Sequence, residues 1–372
     1  MNYILHLTDD CNLNCKYCYE KDKYKHNKLS FENIKFVIDN EVNQKSKFVG
    51  ISFYGGEPLL KKETIYKTIE YIKKLKCKTK FAFGMTTNGV LLDDNFIKFM
   101  KDNNFLSIGY SIDGKKETQN SNRLTINNQG TFDSVEKNAI KLLKVFKNTV
   151  AMVVVTKNNI KQLTENVDYL ISLGFKTINL QFDFFANWED KDLITIEENY
   201  NKLADLYIKK ILNEENIDII MFDEKIKTYI KEEYNCNDDC QLGLKSINIG
   251  VDGNFYPCVQ FVGEENYIIG NCKEGLDIKK RNNLIQQSHK ELDICKDCKI
   301  KKRCKHLCCC KNFKTTNDIN TVSPLTCETE RLLINIADRI ATKLYNENSK
   351  LFIQKFYNDN YNSIEQLVSK GN

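Results

Sequence analysis

The 372-residue chain has no apolar run long enough to span a bilayer and no N-terminal stretch ordered like a secretory signal. A membrane-spanning or exported protein is thereby excluded at this level, and the expected location is the reducing cytoplasm, where disulfides are rare. Histidine is scarce: His6, His26, His289 and His306 are scattered, and His6, on the first strand candidate, reads as a satisfied core residue. No serine, histidine and aspartate grouping and no phosphate loop is present to carry the chemistry. Charge of one sign is not concentrated either. The net charge of +5 comes from interspersed lysines and acids, so nucleic acid is not an expected partner, and the local cluster Lys299 to Lys305 reads as a solvated loop.

What the chain has in quantity is cysteine, 15 in all, and without disulfides the better use of those thiols is metal ligation. Cys11-Asn-Leu-Asn-Cys15-Lys-Tyr17-Cys18 follows the first plausible strand closely. Three thiolates this near one another hold three corners of an iron-sulfur cube and leave the fourth iron open. Clusters used only for electron transfer normally have four thiolates, so the set points to a cluster whose unique iron binds a substrate or cofactor. A zinc knuckle is the alternative, but no fourth Cys or His lies nearby at ligand spacing.

Apolar β-rich runs alternate with amphipathic stretches at helical spacing. The strand candidates are Ile4–Leu7, Phe48–Phe53, Lys80–Met85, Leu106–Ser111, Thr149–Val155 and Thr177–Gln181. Helix candidates between them are Phe31–Asn43, Thr64–Leu75, Asp94–Asn103, Thr131–Phe146 and Ile160–Leu173, the last closed by Gly174. Successive βα units predict an α/β fold with a parallel sheet, in which ligands gather at the C-terminal strand ends. The next motifs fall there. Tyr54-Gly55-Gly56-Glu57-Pro58 offers glycines that allow close backbone approach and a carboxylate for an ammonium group, although the same residues also suit an ordinary turn. Thr86-Thr87-Asn88-Gly89 follows the third strand, and Ser111 and Asp113 stand one strand period apart at the end of the fourth.

A composition shift follows the sixth strand. Asp183–Ile196 reads as a bridge and Glu197–Asn213 as a helix. A cysteine-rich half comes next: Cys240-x12-Gly253-x4-Cys258, then Cys295-x2-Cys298-x5-Cys304-x3-Cys308, then Cys327, with Cys236 just ahead. Val251–Pro257 reads as a hairpin turning at Asp252-Gly253, and Glu328–Gly371 as amphipathic helix. Cys77 and Cys272 match no motif and read as small buried hydrophobes.

The C-x3-C-x2-C run, with Tyr17 before its last cysteine, resembles the signature of the radical S-adenosylmethionine (SAM) enzymes, and the later cysteines are similar to the seven-cysteine SPASM signature at every internal spacing. The resemblance covers roughly residues 4–330 and implies a TIM-like partial (β/α)6 barrel over 1–182, a bridging segment with a helix over 183–235, a SPASM domain over 236–327 and C-terminal helices over 328–372. It implies three 4Fe-4S clusters and SAM as cofactors. Cys11, Cys15 and Cys18 would hold the SAM-binding cluster. Cys236, Cys240, Cys258 and Cys308 would hold a first auxiliary cluster, with Cys309 and Cys310 clouding which sulfur of that run is used. Cys295, Cys298, Cys304 and Cys327 would hold a second. By the same resemblance Gly55, Gly56 and Glu57 would receive the SAM amino group, Ser111 and Asp113 the ribose hydroxyls, Arg123 the carboxylate and Leu180 the adenine, with Tyr17, Thr86 and Asn88 completing the site. Relatives often read His-Asp before the arginine, where this chain has Gln119-Asn120.

The implied activity is reductive cleavage of SAM to a 5'-deoxyadenosyl radical that abstracts hydrogen from a substrate. The expected substrate is a ribosomally made precursor peptide, cross-linked through a carbon to another side chain such as a cysteine sulfur. The expected partners are that peptide and a flavodoxin- or ferredoxin-type reductant. Because the barrel begins at residue 4, with no winged-helix leader-recognition domain ahead of it, recognition is expected in a separate protein, in the C-terminal helices or in the substrate itself. The alternatives are an anaerobic sulfatase-maturating enzyme that oxidises Ser or Cys to formylglycine, a small-molecule dehydrogenase or epimerase, and a polycluster electron carrier. The sulfatase-maturating pattern has an aspartate after the cysteine of the G-x4-C segment; this chain has Val259, which ranks the cross-linking reading ahead.

Overall fold

The structure, a computed structural model, describes residues 1–20, 26–233, 241–288, 290, 292–306 and 308–357. In chain order the strands and helices begin β1 (Asn2–His6), α1 (Phe31–Asn43), β2 (Phe48–Tyr54), α2 (Lys62–Lys74), β3 (Lys80–Thr87), α3 (Asp94–Lys101), β4 (Phe105–Ser111), α4 (Lys116–Asn122) and α5 (Phe132–Val145). They continue with β5 (Val150–Val155), α6 (Leu163–Leu173), β6 (Thr177–Phe182), α7 (Asp190–Leu212), β7 (Asp218–Ile219) and α8 (Ile220–Lys231). The cysteine-rich half adds β8 (Ser246–Ile249), β9 (Asn254–Tyr256), β10 (Gly270–Asn271), β11 (Gly275–Leu276), α9 (Ile278–Ser288), α10 (Cys309–Thr316), α11 (Pro324–Asn346) and α12 (Lys350–Tyr357). The chain divides into two compact units, one of Met1–Ser111, Arg123–Val145 and Asn237–Gln287, the other of Ile112–Asn122, Phe146–Cys236 and Ser288–Asn372.

In the first unit the strand order is β11-β10-β9-β8-β1-β2-β3-β4. β1 pairs in parallel with both β2 and β8, and β2–β3 and β3–β4 are parallel as well. Parallel pairing leaves His6, Tyr54, Thr87 and Ser111, the last residues of four strands, at one edge. β2 shows why the pattern reads as a strand: Val49, Ile51 and Phe53 are buried, while the residues between them are half-buried. Helix starts follow side-chain capping, with Ser30 accepting the Asn33 N–H at 3.2 Å before α1 and Asp93 accepting that of Phe96 at 2.8 Å before α3. The expected hairpin is present as antiparallel β8–β9 around Asp252-Gly253, with Gly253 at φ +81°, but its first strand starts at Ser246.

In the second unit β6 pairs in parallel with β5 and β7. α6 ends at Gly174, whose φ of 114° only glycine adopts without strain. The segment read as a bridge is partly helix: α7 starts at Asp190, because Glu189 and Asp192 form a reciprocal capping box. α4 was not legible, since Lys116–Asn122 has no apolar periodicity. C-terminal α12 packs by buried charge, Lys355 reaching Asp218 of β7 at 2.7 Å and also pairing with Asp223 of α8, while the remainder of the predicted terminal helix lies outside the described residues. No described helix is long and apolar enough to cross a membrane.

Candidate active site

The cysteine loop is built by the two strands that precede and follow it in the sheet. Leu7 donates its N–H to the Tyr54 carbonyl at 2.9 Å, Gly56 to Thr8 at 2.8 Å and Glu57 to Asp10 at 2.9 Å, so the segment leading into Cys11 runs along the segment leaving β2. A Cβ on Gly56 would stand 2.1 Å from the Asp10 carbonyl oxygen, and one on Gly55, at φ +128°, would stand 2.3 Å from that of Thr8. The close approach these glycines serve is therefore to the cysteine loop's own backbone.

On the other side the loop is tied to the residues around Arg123. Leu13 bridges Thr125, and Asn14 donates to the Leu124 carbonyl at 2.7 Å. The Arg123 guanidinium lies 5.3 Å from the centre of the Tyr17 ring, a cation–π contact between two expected site residues. Cys11 receives the Leu13 N–H at 3.4 Å and the Asn88 side-chain amide at 3.7 Å. Burial pushes its thiol up to about 12, with the Leu13 N–H pulling the other way. Amide donors aimed at a half-buried sulfur suit a thiolate, and a positive iron is the partner that would offset the burial; Cys15 and Cys18, on a turn closed by the Cys18 N–H to the Cys15 carbonyl at 3.2 Å, lie near enough to raise the Cys11 thiol further, so the donor chemistry is that of an iron-sulfur site, although no three described thiols are gathered at metal-holding distance.

Glu57 is almost fully buried and already engaged. Oε1 accepts from the Leu59 N–H at 3.0 Å and from the Thr87 hydroxyl at 2.7 Å, and Oε2 accepts from the Asn88 N–H at 2.7 Å. A carboxylate has about four acceptor directions, which leaves one on Oε2. Burial raises its pKa to about 7, against these three donors and the Lys62 charge. Asn88 in turn donates to Asn12 Oδ1 at 2.8 Å, so the turn after β3 reaches the cysteine loop. Thr87 and Asn12 were missed by sequence reasoning; only the neighbouring Thr86 and Asn88 were singled out.

Also at this strand edge, the Tyr19 and Tyr54 hydroxyls meet at 2.8 Å, and His6 sits edge-on to Tyr54 with ring centres 5.1 Å apart. His6 Nε2 lies 3.4 Å from Asn248 Oδ1, so it is a satisfied core histidine. Ser111 ends β4, half-buried. Cys258 is buried and precedes a short 3-10 turn whose first residue is the half-buried Val259. Cys272 is buried as expected, whereas Cys77 is half-exposed, because it lies in the polar segment between α2 and β3.

In the second unit Asp113 is buried, its Oδ1 accepting the Val154 N–H at 3.1 Å while its own N–H goes to Gln119 Oε1 at 2.9 Å. Leu180 is buried on β6. Cys295 packs with Leu292 and Val322, and Cys327 lies against them. Burial, then the neighbouring Cys295, raises the Cys327 thiol, with Cys298 contributing as well. Burial, then the Glu330 charge, pushes the Cys304 thiol up to about 12. Cys308 and Cys310 bring their sulfurs to 3.6 Å, whereas Cys309 is buried in the first turn of α10. Cys236, Cys240 and His289 lie outside the described residues.

Residues 5–170 match the family model of the radical SAM superfamily, and residues 236–299 match that of the SPASM iron-sulfur cluster-binding domain. The chain belongs to the radical SAM superfamily, as an enzyme with SAM and 4Fe-4S clusters as cofactors and a SPASM domain after its core. It is 28% identical over 336 residues, 83% of this chain and 89% of the other, to the cysteine-type anaerobic sulfatase-maturating enzyme of Clostridium perfringens strain 13. The solved structure of native anSMEcpe with bound AdoMet and Kp18Cys peptide matches with a TM-score of 0.79 at 25% identity, covering 93% of this chain and 99% of that one. Streptococcus suis SuiB bound to precursor peptide SuiA matches with a TM-score of 0.61 at 16% identity, covering 88% and 75%. The fold is thus the expected radical SAM core with its SPASM extension. The order of the two peptide readings is reversed: similarity along most of a sulfatase-maturating enzyme supports that alternative better than the cross-linking reading favoured from Val259.

Proposed function

We propose that this enzyme oxidises a cysteine or serine side chain of a peptide or protein substrate to formylglycine; the relatives that support the reading are named as cysteine-type and serine-type anaerobic sulfatase-maturating enzymes. The observation that carries the reading is the similarity to a cysteine-type maturase across 89% of that enzyme's length. When bound, the reduced cluster and SAM supply a 5'-deoxyadenosyl radical that removes a hydrogen atom from the substrate.

The chain's own residues prepare that event. Cys11, Cys15 and Cys18 would hold three irons. Gly55 and Gly56 hold the loop's backbone against β2 so that the sulfurs stay fixed. Arg123, stacked on Tyr17, is poised to receive a carboxylate, and the open acceptor direction on Glu57 suits an ammonium. Thr86, Asn88, Ser111, Asp113 and Leu180 are proposed to complete the SAM site. Cys258 and Cys308, with Cys236 and Cys240, would hold the first auxiliary cluster, and Cys295, Cys298, Cys304 and Cys327 the second.

One residue favours a second reading. Oxidation by two electrons removes a hydrogen atom, an electron and a proton, giving the aldehyde directly from serine and, from cysteine, a thioaldehyde that water hydrolyses to the aldehyde with loss of hydrogen sulfide; the hydrocarbon side chain of Val259 cannot take the proton. The peptide cross-linking reading therefore stands as the runner-up. Anaerobic incubation with SAM, reductant and a cysteine-containing sulfatase-type peptide tests the choice by mass spectrometry. A hydrazide-reactive aldehyde supports formylglycine formation; loss of two hydrogens with no aldehyde, from a peptide encoded beside this gene, replaces it with cross-linking.

A further inference from the structure

Where β6 ends, residues 182–188 of the second unit read Phe-Asp-Phe-Phe-Ala-Asn-Trp, and they close on themselves. Trp188 stacks on Phe182 with ring centres 4.5 Å apart and donates its indole N–H to the Asp183 carbonyl at 2.6 Å. Phe184 meets Phe182 edge-on at 5.0 Å. Lys157 ties down the far side by donating to the Asn187 carbonyl at 2.7 Å, while its ammonium pairs with Asp192 at 2.7 Å. Compact loops packed by their own side chains are frequent carriers of function.

Two side chains of this loop are not spent on holding it together. The Phe185 ring is 49% exposed. Asp183 is half-buried at the root, where Oδ1 accepts the Phe185 N–H at 3.1 Å. Burial raises its carboxyl above the ordinary aspartate range, and among the described residues no cation acts on it. The lysines that reach the loop are engaged elsewhere, Lys157 with Asp192, and Lys311 over the Phe184 ring at 4.8 Å and 3.8 Å from Glu330. An exposed apolar residue is ordinary by itself. A fixed ring beside a carboxylate that has lost water without gaining a cation is less so, because the loss goes uncompensated until a cation arrives.

The loop stands where a substrate has to arrive. It begins three residues after Leu180, and Gln181 is the register partner of Val154, whose N–H goes to Asp113. Two residues proposed for the SAM site therefore lie on or against the strand ends from which the loop springs. Substrate must come within contact of the radical derived from SAM, so the surface bordering that site is the one it meets. We infer that Phe185 and Asp183 form a docking site for the peptide substrate, an apolar side chain lying on the ring and a lysine or arginine reaching the carboxylate. This rests on the proposed peptide substrate and on the SAM-site roles of Asp113 and Leu180. The loop is already ordered, so little conformational freedom is lost on binding. Both residues select substrate and neither touches the reacting carbon.

The test uses the anaerobically reconstituted holoenzyme with SAM and two synthetic peptides, one with arginines flanking its cysteine and a twin with glutamine in their place. Calorimetry reads affinity, and the fluorescence of Trp188, the chain's only tryptophan, reads docking at the loop. The arginine peptide should shift Trp188 emission and bind about tenfold more tightly than its twin, a difference that Asp183→Asn erases. Asparagine keeps the acceptor for the Phe185 N–H, so the loop itself is retained. Phe185→Ala should weaken both peptides about tenfold, with SAM affinity as in the parent. Equal parental affinity for the two peptides, or undiminished binding in Phe185→Ala, overturns the inference. Losses as expected but with no aldehyde formed by the parent uphold the docking site and refute formylglycine formation instead. A parent that binds neither peptide overturns both.

Discussion

The Glu57 carboxylate accepts the backbone N–H of Asn88 at 2.7 Å, which joins the turn after β2 to the turn after β3 inside the protein. Each turn also touches the cysteine loop, Glu57 through its own N–H to Asp10 and Asn88 through its amide to Asn12. One buried acid thus organises three segments that meet at the strand ends. A carboxyl that titrates near 4.5 when unfolded and near 7 when folded binds an extra proton in the folded state between those values. This contribution to stability is fully present below pH 4.5 and is lost as pH rises through 7, by about 3.5 kcal/mol at about 1.4 kcal/mol per unit. Glu57→Gln should abolish that slope. Denaturant titrations of the two proteins at the ends of this window check it, and parallel slopes would remove Glu57 from the pH response.

Glycine at position 56 is held by a backbone contact that cannot move cheaply. Gly56→Ala would drive a Cβ against the Asp10 carbonyl oxygen, and relief requires moving the loop that carries Cys11. The expected cost is about 1 to 3 kcal/mol of stability, with weaker iron retention at the first site and little change at the auxiliary sites. Iron and sulfide analysis after gel filtration measures this; full occupancy with unaltered SAM binding would show that the loop tolerates the shift.

The strands and most helices were legible because they rest on local signals: alternating apolar residues in β2, the Ser30 and Asp93 caps, Gly174 at the end of α6. What was not legible depends on partners distant in sequence. Gly55 and Gly56 read as a ligand cradle, but the backbone they admit belongs to Thr8 and Asp10. Asp113 read as lying one strand period beyond Ser111 on the same side, yet Ile112 already leaves β4 and the carboxylate accepts the Val154 N–H. No pattern around Lys225 announces a partner 105 residues away at Glu330. The start of α7 was missed for a different reason: the apolar period begins late, while the capping box at Glu189 and Asp192 sets the boundary.

Three 4Fe-4S sites predict about twelve irons per chain, four per cube. Simultaneous replacement of Cys11, Cys15 and Cys18 by Ala should remove about four of them and eliminate 5'-deoxyadenosine formation, with the auxiliary-cluster spectra retained. Deoxyadenosine produced by the triple variant at anything near the parental rate would sink the radical SAM assignment of those cysteines.

Val259 follows Cys258 as the first residue of a short 3-10 turn and is half-buried, with no group able to accept a proton. If this position faces the reacting carbon of the substrate, Val259→Asp installs a proton acceptor at the point where aldehyde formation needs one. General-base assistance is worth roughly 10² to 10⁴ in rate, so aldehyde yield per deoxyadenosine should rise well beyond the parental value. The rate should also acquire a new ascending limb in the ordinary aspartate range, around pH 4, because only the ionised carboxylate accepts the proton. Cross-linking of a neighbouring-gene peptide should gain nothing from the change. Product analysis by mass spectrometry across pH, normalised to deoxyadenosine, separates the cases. An aldehyde yield equal to the parent's, with no added pH limb, would place the proton acceptor elsewhere and leave residue 259 as packing beside Cys258.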